Sequence, residues 1–131
     1  MRAAVELLGA ERIGHGTSAG QDADTLRLLA ERRIPLEVCL TSNVATGVIA
    51  RLEDHPLPRF LEAGVPVTLN SDDPAMFATT LEAEMNLAAR AFALSPEAIV
   101  HLAANAARAA FLQEEERAKL LDELRRAAPS L

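Results

Sequence analysis

The sequence is short of several residue types, and each shortage excludes a class of protein or partner. Its 131 residues include a single cysteine, so a disulfide within the chain is excluded. They contain four Phe and neither Trp nor Tyr, which predicts a core built from aliphatic side chains and alanine. The formal charge is −6 and no dense patch of Lys and Arg interrupts it, which argues against nucleic acid as a partner.

Long apolar stretches are missing as well. No run is long enough to span a membrane and nothing resembles a signal peptide, so we expect a soluble, cytoplasmic protein without a membrane partner. Half of the residues are hydrophobic, and the length is that of one ordinary domain. This composition favours an α/β or an all-α fold.

Three short apolar segments predict buried strands at residues 11–13, 36–40 and 65–69. Segments with helical periodicity separate them, and this alternation predicts right-handed crossovers and a parallel sheet. Three such strands leave two unpaired edges, yet none reads as a charged edge strand. We therefore expect part of a larger sheet or barrel. A closed (β/α)8 barrel needs about 250 residues, of which this chain would supply roughly the last three strand-helix units.

Residues with capping preferences mark the predicted helices. Asp22 and Ser95 each precede a segment with helical periodicity, and Thr79 with Glu82 fits the capping-box pattern. A last helix is predicted for Glu114–Ala127. The helices that follow the third strand are thus expected to continue to the end of the chain.

Polar side chains follow each predicted strand. His15 lies between two glycines after the first strand, residues 41–43 (Thr-Ser-Asn) form a predicted loop after the second, and Asp72 and Asp73 follow the third. The loops after parallel strands open a shared crevice where ligand and catalytic groups collect. Adjacent side chains point in different directions, so one aspartate could bind a metal while the other accepts a hydrogen bond from a ligand. The alternative is that Asp-Asp-Pro is only a turn followed by a helix cap.

Several of these segments resemble, in order and spacing, the motifs of the adenosine deaminase family of metal-dependent amidohydrolases. They are ERIGHG, LEVCLTSNVATG, HPL and VTLNSDDPAMFATTL, and the match covers nearly the whole chain. The family is a (β/α)8 barrel with one catalytic zinc, and it hydrolyses the 6-amino group of adenosine to give inosine and ammonia. The resemblance therefore implies that residues 1–131 are the C-terminal portion of a single barrel domain whose N-terminal half is absent.

The resemblance also implies roles for three residues. Asp72 matches the aspartate that binds zinc and contacts the attacking water, and Asp73 matches the aspartate that hydrogen-bonds the purine ring. His15 matches the histidine that orients the zinc-bound water and helps to deprotonate it. Zinc lowers the pKa of bound water from about 15.7 toward about 7, and a nearby imidazole and carboxylate can take its proton. Ser42 and Glu37, near the end of the preceding strand, could orient these groups.

The family's other zinc ligands and its proton donor have no counterpart in this sequence. The sequence contains neither the His-x-His pair nor the His-x-Gly-Glu segment, so these groups are expected outside the chain. Leu40 stands where the family usually has proline. We interpret His55 as a residue at the start of a helix, His101 as a helix residue, and Cys39 as a packed thiol inside a strand.

Adenosine is the first predicted substrate, and aminodeoxyfutalosine and adenine are the alternatives. The run FATTLEAEM resembles nucleoside deaminases more than adenine deaminases. A hypothesis from another class is that the chain is a complete, noncatalytic binding or assembly module. An upstream reading frame that encodes His-x-His and His-x-Gly-Glu would favour the enzyme, whereas a stop codon just before Met1 would favour the module.

Overall fold

The computed structural model describes residues 1–128, and within them three short strands form one parallel sheet in the order β1-β2-β3. The strands are β1 (Ile13–Gly14), β2 (Leu36–Val38) and β3 (Val67–Leu69). In the register of the sheet, Leu36 pairs with Ile13 on one side and with Val67 on the other. The predicted parallel sheet is confirmed, although each strand is shorter than predicted.

Eight α-helices lie within residues 1–128, and two short 3₁₀ helices, Thr17–Gln21 and Leu52–Asp54, accompany them. The α-helices are α1 (Arg2–Glu6), α2 (Ala23–Glu31), α3 (Leu40–Ala45), α4 (Leu57–Glu62), α5 (Pro74–Phe77), α6 (Leu81–Ala91), α7 (Pro96–Ala109) and α8 (Glu114–Ala127). Helix α7 packs on β3, and α8 packs on α7. None of the helices in this range combines the length and the apolar character that crossing a bilayer requires.

The core lies between the sheet and the helices that cover it. Its fully buried members include Leu29 of α2, Leu36 of β2, Phe60 of α4 and Val67 of β3, and Leu102 of α7 is 1% exposed. Burying one such side chain contributes about 1.5 to 3 kcal/mol relative to leaving it in water. The core is therefore mainly aliphatic, as the scarcity of aromatic residues predicts.

Two of the three predicted N-caps are confirmed. Asp22 caps α2 and Ser95 caps α7, each by accepting hydrogen bonds from main-chain N–H groups of the first turn. The capping box predicted at Thr79 is wrong, because Thr80 caps α6 and accepts from the N–H of Ala83. The hydroxyl of Thr79 instead donates to a buried carboxylate on α6.

The polar run after β2 is helical, so the loop predicted for residues 41–43 is wrong. Strand β2 ends at Val38, and α3 begins at Leu40, whose side chain is fully buried. The N–H of Asn43 donates to the carbonyl of Cys39 at 2.9 Å and closes the first turn. Cys39 therefore lies at the junction between β2 and α3, not inside a strand. Its side chain is buried, as predicted.

Candidate active site

The polar groups predicted after the three strands converge at the carboxyl end of the sheet. The Nε2 atom of His15 lies 3.7 Å from Oδ2 of Asp72, and the hydroxyl of Ser42 donates to the same oxygen at 2.6 Å. These side chains line an open cleft of about 700 Å³ together with Asn43 and Asp73. Small-molecule sites in proteins measure about 300 to 1,000 Å³, so the cleft has a suitable size.

A left-handed backbone conformation places His15 and Asp72 at the cleft. His15 has φ 58° and Asp72 has φ 57°, a region that non-glycine residues adopt infrequently. Gly16, next to His15, has φ 67°, and a Cβ built there would lie 2.5 Å from the side chain of Leu36. Backbone strain of this kind concentrates at functional sites, where the surrounding structure enforces it.

A chain of hydrogen bonds runs from the interior to His15. The N–H of Leu57 donates to Nδ1 of His55 at 3.0 Å, and Nε2 of His55 lies 3.1 Å from Oδ1 of Asn43. The amide Nδ2 of Asn43 lies 3.0 Å from Nδ1 of His15. His55 is 3% exposed and Asn43 is 2% exposed. His55 therefore stands at the start of α4, as predicted, and it also contacts the site, which the sequence did not indicate.

The surroundings of His55 favour its neutral form. Its ring packs edge-on against the ring of Phe60, with centroids 6.4 Å apart. Burial lowers the pKa of His55 from 6.5 to about 4, because the apolar surroundings do not solvate the charged imidazolium. The imidazole is consequently uncharged at neutral pH.

A buried carboxylate holds α3 in place from the side of α6. The Oε2 atom of Glu84 accepts from the N–H of Thr41 at 3.2 Å, and Oε1 accepts from the hydroxyl of Thr79 at 2.9 Å. Thr41 lies in the first turn of α3, where N–H groups have no partner within the helix. Sequence reasoning missed Glu84, which is 1% exposed. Its burial could have been predicted from its position in α6. Glu84 comes three residues after Leu81 and four before Ala88, and therefore lies on the apolar face of the helix.

Asp73 lies beside Asp72 but makes different contacts. Its Oδ1 accepts from the N–H of Met76 at 2.8 Å and caps α5. The turn-and-cap alternative thus describes this contact correctly. Asp73 also lines the cleft, where its second oxygen can accept a further hydrogen bond.

Two further residues, Glu37 and Cys39, lie near the carboxyl end of the sheet. Glu37 pairs with Arg12, with 3.4 Å between Oε1 and Nη1. Cys39 offers a sulfur that lies within 4.8 Å of potential ligand atoms of His15 and Asp72. Burial raises the pKa of the Cys39 thiol to about 12, so in the absence of a metal the side chain is a neutral thiol. Cys39 therefore fits the interpretation as a packed thiol.

Comparison with known proteins shows the family to which the chain belongs. A family model described as adenosine deaminase matches residues 1–127. The chain belongs to the adenosine deaminase family. It is 53% identical over 117 residues to an aminodeoxyfutalosine deaminase of Streptomyces coelicolor, covering 89% of this chain and 30% of that protein. It is 48% identical over 118 residues to an adenosine deaminase of Klebsiella pneumoniae, covering 90% of this chain and 35% of that protein.

A solved deaminase structure has the same fold as this chain. The crystal structure of an adenine deaminase from Arthrobacter aurescens superposes with a TM-score of 0.91 at 35% identity, covering 98% of this chain and 39% of that one. The predicted fold class, the C-terminal part of a (β/α)8 barrel, is thereby confirmed. The chain spans about a third of the length of the relatives it matches. The roles of His15, Asp72 and Asp73 stay predictions.

Proposed function

We propose that this chain supplies the C-terminal part of a zinc-dependent active site that hydrolyses the 6-amino group of adenosine to give inosine and ammonia. The observation that carries the proposal is the approach of His15 to Asp72 at the carboxyl end of the sheet, with Ser42 hydrogen-bonded to the same carboxylate. Identity of 48% to a protein named adenosine deaminase supports the substrate class, a small purine nucleoside.

In this proposal, residues 1–131 are the C-terminal portion of a single barrel domain. The described residues contribute three parallel strands, whereas a closed barrel of this type has eight. Of the zinc ligands that the resemblance implies, Asp72 is the one present here. The other ligands and the proton donor would come from residues outside this chain.

The residues at the cleft fit a zinc ion. The hydroxyl of Ser42 donates to Oδ2 of Asp72, and Nε2 of His15 approaches the same oxygen. The other carboxylate oxygen, Oδ1, is therefore left for a cation. Zinc binds carboxylate oxygen readily, and catalytic zinc sites combine about three protein ligands with an open position. When bound, zinc would make a water molecule acidic enough to serve as a nucleophile near neutral pH.

The chain's own residues would bind and orient the reacting groups. Nε2 of His15 and Oδ2 of Asp72 are close enough for one water molecule to contact both atoms. The second oxygen of Asp73 would hydrogen-bond the purine ring, because its first oxygen is already engaged by the N–H of Met76. The two adjacent aspartates would therefore have different roles: Asp72 would bind the metal, and Asp73 would bind the purine ring.

Aminodeoxyfutalosine is a second candidate substrate, and a specific observation favours it. Two Streptomyces proteins with the name aminodeoxyfutalosine deaminase are 53% and 50% identical to this chain, compared with 48% for the Klebsiella adenosine deaminase. The reaction at the 6-amino group would be the same, and only the remainder of the substrate would differ.

The test is an assay of the full-length protein that contains this chain, with adenosine, aminodeoxyfutalosine and adenine as parallel substrates. Ammonia release should be highest with adenosine, should stop when a chelator removes the metal, and should return with added zinc. A higher kcat/KM for aminodeoxyfutalosine would select the second candidate. Absence of ammonia release from all three substrates by zinc-loaded protein would contradict the proposal and favour the noncatalytic module.

A further inference from the structure

We infer that Asn43 and His55 are positioning residues that fix the orientation of the His15 ring and place its proton on Nε2. The effect on catalysis rests on the proposed function, but the hydrogen-bond chain is a property of these three side chains and can be measured without turnover. Asn43 is 28 positions from His15 along the sequence and 12 positions from His55, and the fold brings the three side chains into hydrogen-bond contact.

The direction of the hydrogen-bond chain is fixed at its buried end. The main-chain N–H of Leu57 can only donate, so Nδ1 of His55 must accept this hydrogen bond with its lone pair. A neutral imidazole carries a single ring proton, which therefore lies on Nε2 of His55. That N–H then donates to Oδ1 of Asn43 at 3.1 Å.

The orientation of the Asn43 amide determines which ring nitrogen of His15 carries the proton. Its oxygen receives the proton of His55, so its NH₂ group faces Nδ1 of His15 at 3.0 Å and donates to it. Nδ1 of His15 must then be the bare nitrogen, and the ring proton of neutral His15 lies on Nε2. This is the atom that lies 3.7 Å from Asp72.

The reverse arrangement is disfavoured at each contact. Turning the amide of Asn43 would set its NH₂ group against the N–H of His55, and two donors would then face each other. Moving the proton of His55 to Nδ1 would set it against the N–H of Leu57 in the same way. A buried donor left without an acceptor loses its hydration and gains no hydrogen bond, so the hydrogen-bond chain has one preferred direction.

This direction limits the predicted role of His15 to orienting the water, without the expected help in deprotonating it. With its proton on Nε2, neutral His15 donates a hydrogen bond into the cleft and does not accept a proton at that atom. It would orient the attacking water through a donated hydrogen bond. Asn43 and His55, which are almost fully buried, would hold the ring in the orientation that this contact needs.

The direct test is long-range proton-nitrogen NMR of the histidine rings in the full-length, zinc-loaded protein, because these spectra distinguish a protonated ring nitrogen from a bare one. At alkaline pH, His15 should show a bare Nδ1 and a protonated Nε2. The control His101→Gln changes an exposed residue of α7 and should leave this pattern unchanged. A proton on Nδ1 of wild-type His15 would overturn the inference.

A substitution of Asn43 tests the causal step. In Asn43→Asp, the carboxylate accepts from both rings, so the proton of neutral His15 should move to Nδ1. A His15 proton that stays on Nε2 in this variant would show that Asn43 does not set it. This assignment is read in the spectra, so it stands or falls separately from the deaminase activity.

The kinetic consequence is tested at His55, which does not line the main cleft. His55→Ala should lower kcat by about 10- to 100-fold, the range for residues that orient a group touching the metal or substrate, with KM almost unchanged. His55→Gln keeps a donor for Asn43 and should restore a large part of kcat. Equal losses in both variants, with the proton of His15 still on Nε2, would contradict the positioning role.

Discussion

The two walls of the cleft are built in different ways. One wall is α3, where Ser42 and Asn43 are 3% and 2% exposed. Asn43 contacts the buried ring of His55, and the N–H of Thr41 donates to the buried carboxylate of Glu84. The other wall is the segment from Asp72 to Phe77, where the side chain of Asp72 is 34% exposed and the left-handed backbone and the short helix α5 set the geometry. Buried hydrogen bonds hold the first wall, and a turn in contact with solvent holds the second.

This difference indicates a division of work. Buried polar networks are rigid when every member has a partner, because each unpaired group in a low-dielectric interior is costly. The α3 wall is therefore suited to fixing His15, whereas the exposed carboxylates can reach ligands that arrive from solvent. The hydrogen bond from Ser42 to Asp72 joins the two walls.

The largest effect is expected at the exposed wall. In the full-length protein, Asp72→Asn should lower zinc content and should reduce turnover by more than about 100-fold, beyond the loss typical of residues that only orient a ligand. Asparagine tolerates the left-handed backbone, so the turn should survive. Metal analysis beside a turnover assay checks this, and full zinc occupancy in Asp72→Asn would remove Asp72 from the ligand set.

A substitution that removes the buried support of the α3 wall should lower the stability of the protein. In Glu84→Ala, the N–H of Thr41 and the hydroxyl of Thr79 lose their acceptor, so the free energy of unfolding should fall by about 1 to 3 kcal/mol. Glu82 is exposed on the same helix, and Glu82→Ala is the matched control, with an expected change within about 0.5 kcal/mol. Urea unfolding measures both. Equal stability of the two variants would mean that the Glu84 contacts do not hold α3.

A smaller effect is expected when the neighbouring aspartate is changed. Asp73→Asn should keep its zinc and should lower kcat/KM by about tenfold, since a neutral acceptor binds the purine ring less strongly than a carboxylate. Asn and Asp cap helices about equally well, so α5 should be unaffected. Steady-state kinetics with a parallel zinc analysis is the measurement. Loss of zinc in Asp73→Asn, with zinc retained in Asp72→Asn, would exchange the two roles.

The smallest effect concerns pH. The pKa of His55 is lowered from 6.5 to about 4 on folding, so the unfolded chain takes up its proton first as the pH falls. This contribution to stability is intact above about pH 6.5 and is lost as the pH falls toward about 4, at about 1 kcal/mol between pH 7.5 and 5.5. His55→Gln should lack this component in denaturant titrations. The same pH dependence in both proteins would contradict the lowered pKa.

The features that the sequence predicts correctly are local ones. The strands follow from short apolar runs, and the caps at Asp22 and Ser95 follow from residues whose side chains bond the next turn. Convergence of His15 and Asp72 follows from a general property of parallel sheets, whose strands all end at one edge. Each of these predictions needs only a few neighbouring residues or one topological rule.

The features that the sequence does not predict depend on distant partners. Residues 41–43 are polar enough for a loop, but they form a helix whose polar side chains and N–H groups find buried partners. Thr41 bonds Glu84, 43 residues away, and Asn43 lies between His15 and His55. Such pairings exist only after the crossovers have formed. The error at Thr79 is the exception, because it is local: its hydroxyl donates to Glu84, five residues further along, and Thr80 caps α6 instead.

Zinc retention distinguishes a partial zinc site, completed by ligands outside this chain, from a site that the chain forms alone. The isolated 131-residue chain and the full-length protein are equilibrated with the same low free zinc concentration, and bound zinc per chain is measured. We predict about one zinc per full-length protein and almost none on the isolated chain, because one carboxylate falls short of the three protein ligands that catalytic zinc sites use. Stoichiometric zinc on the isolated chain would contradict the account, since His15, Cys39 and Asp72 would then suffice as ligands.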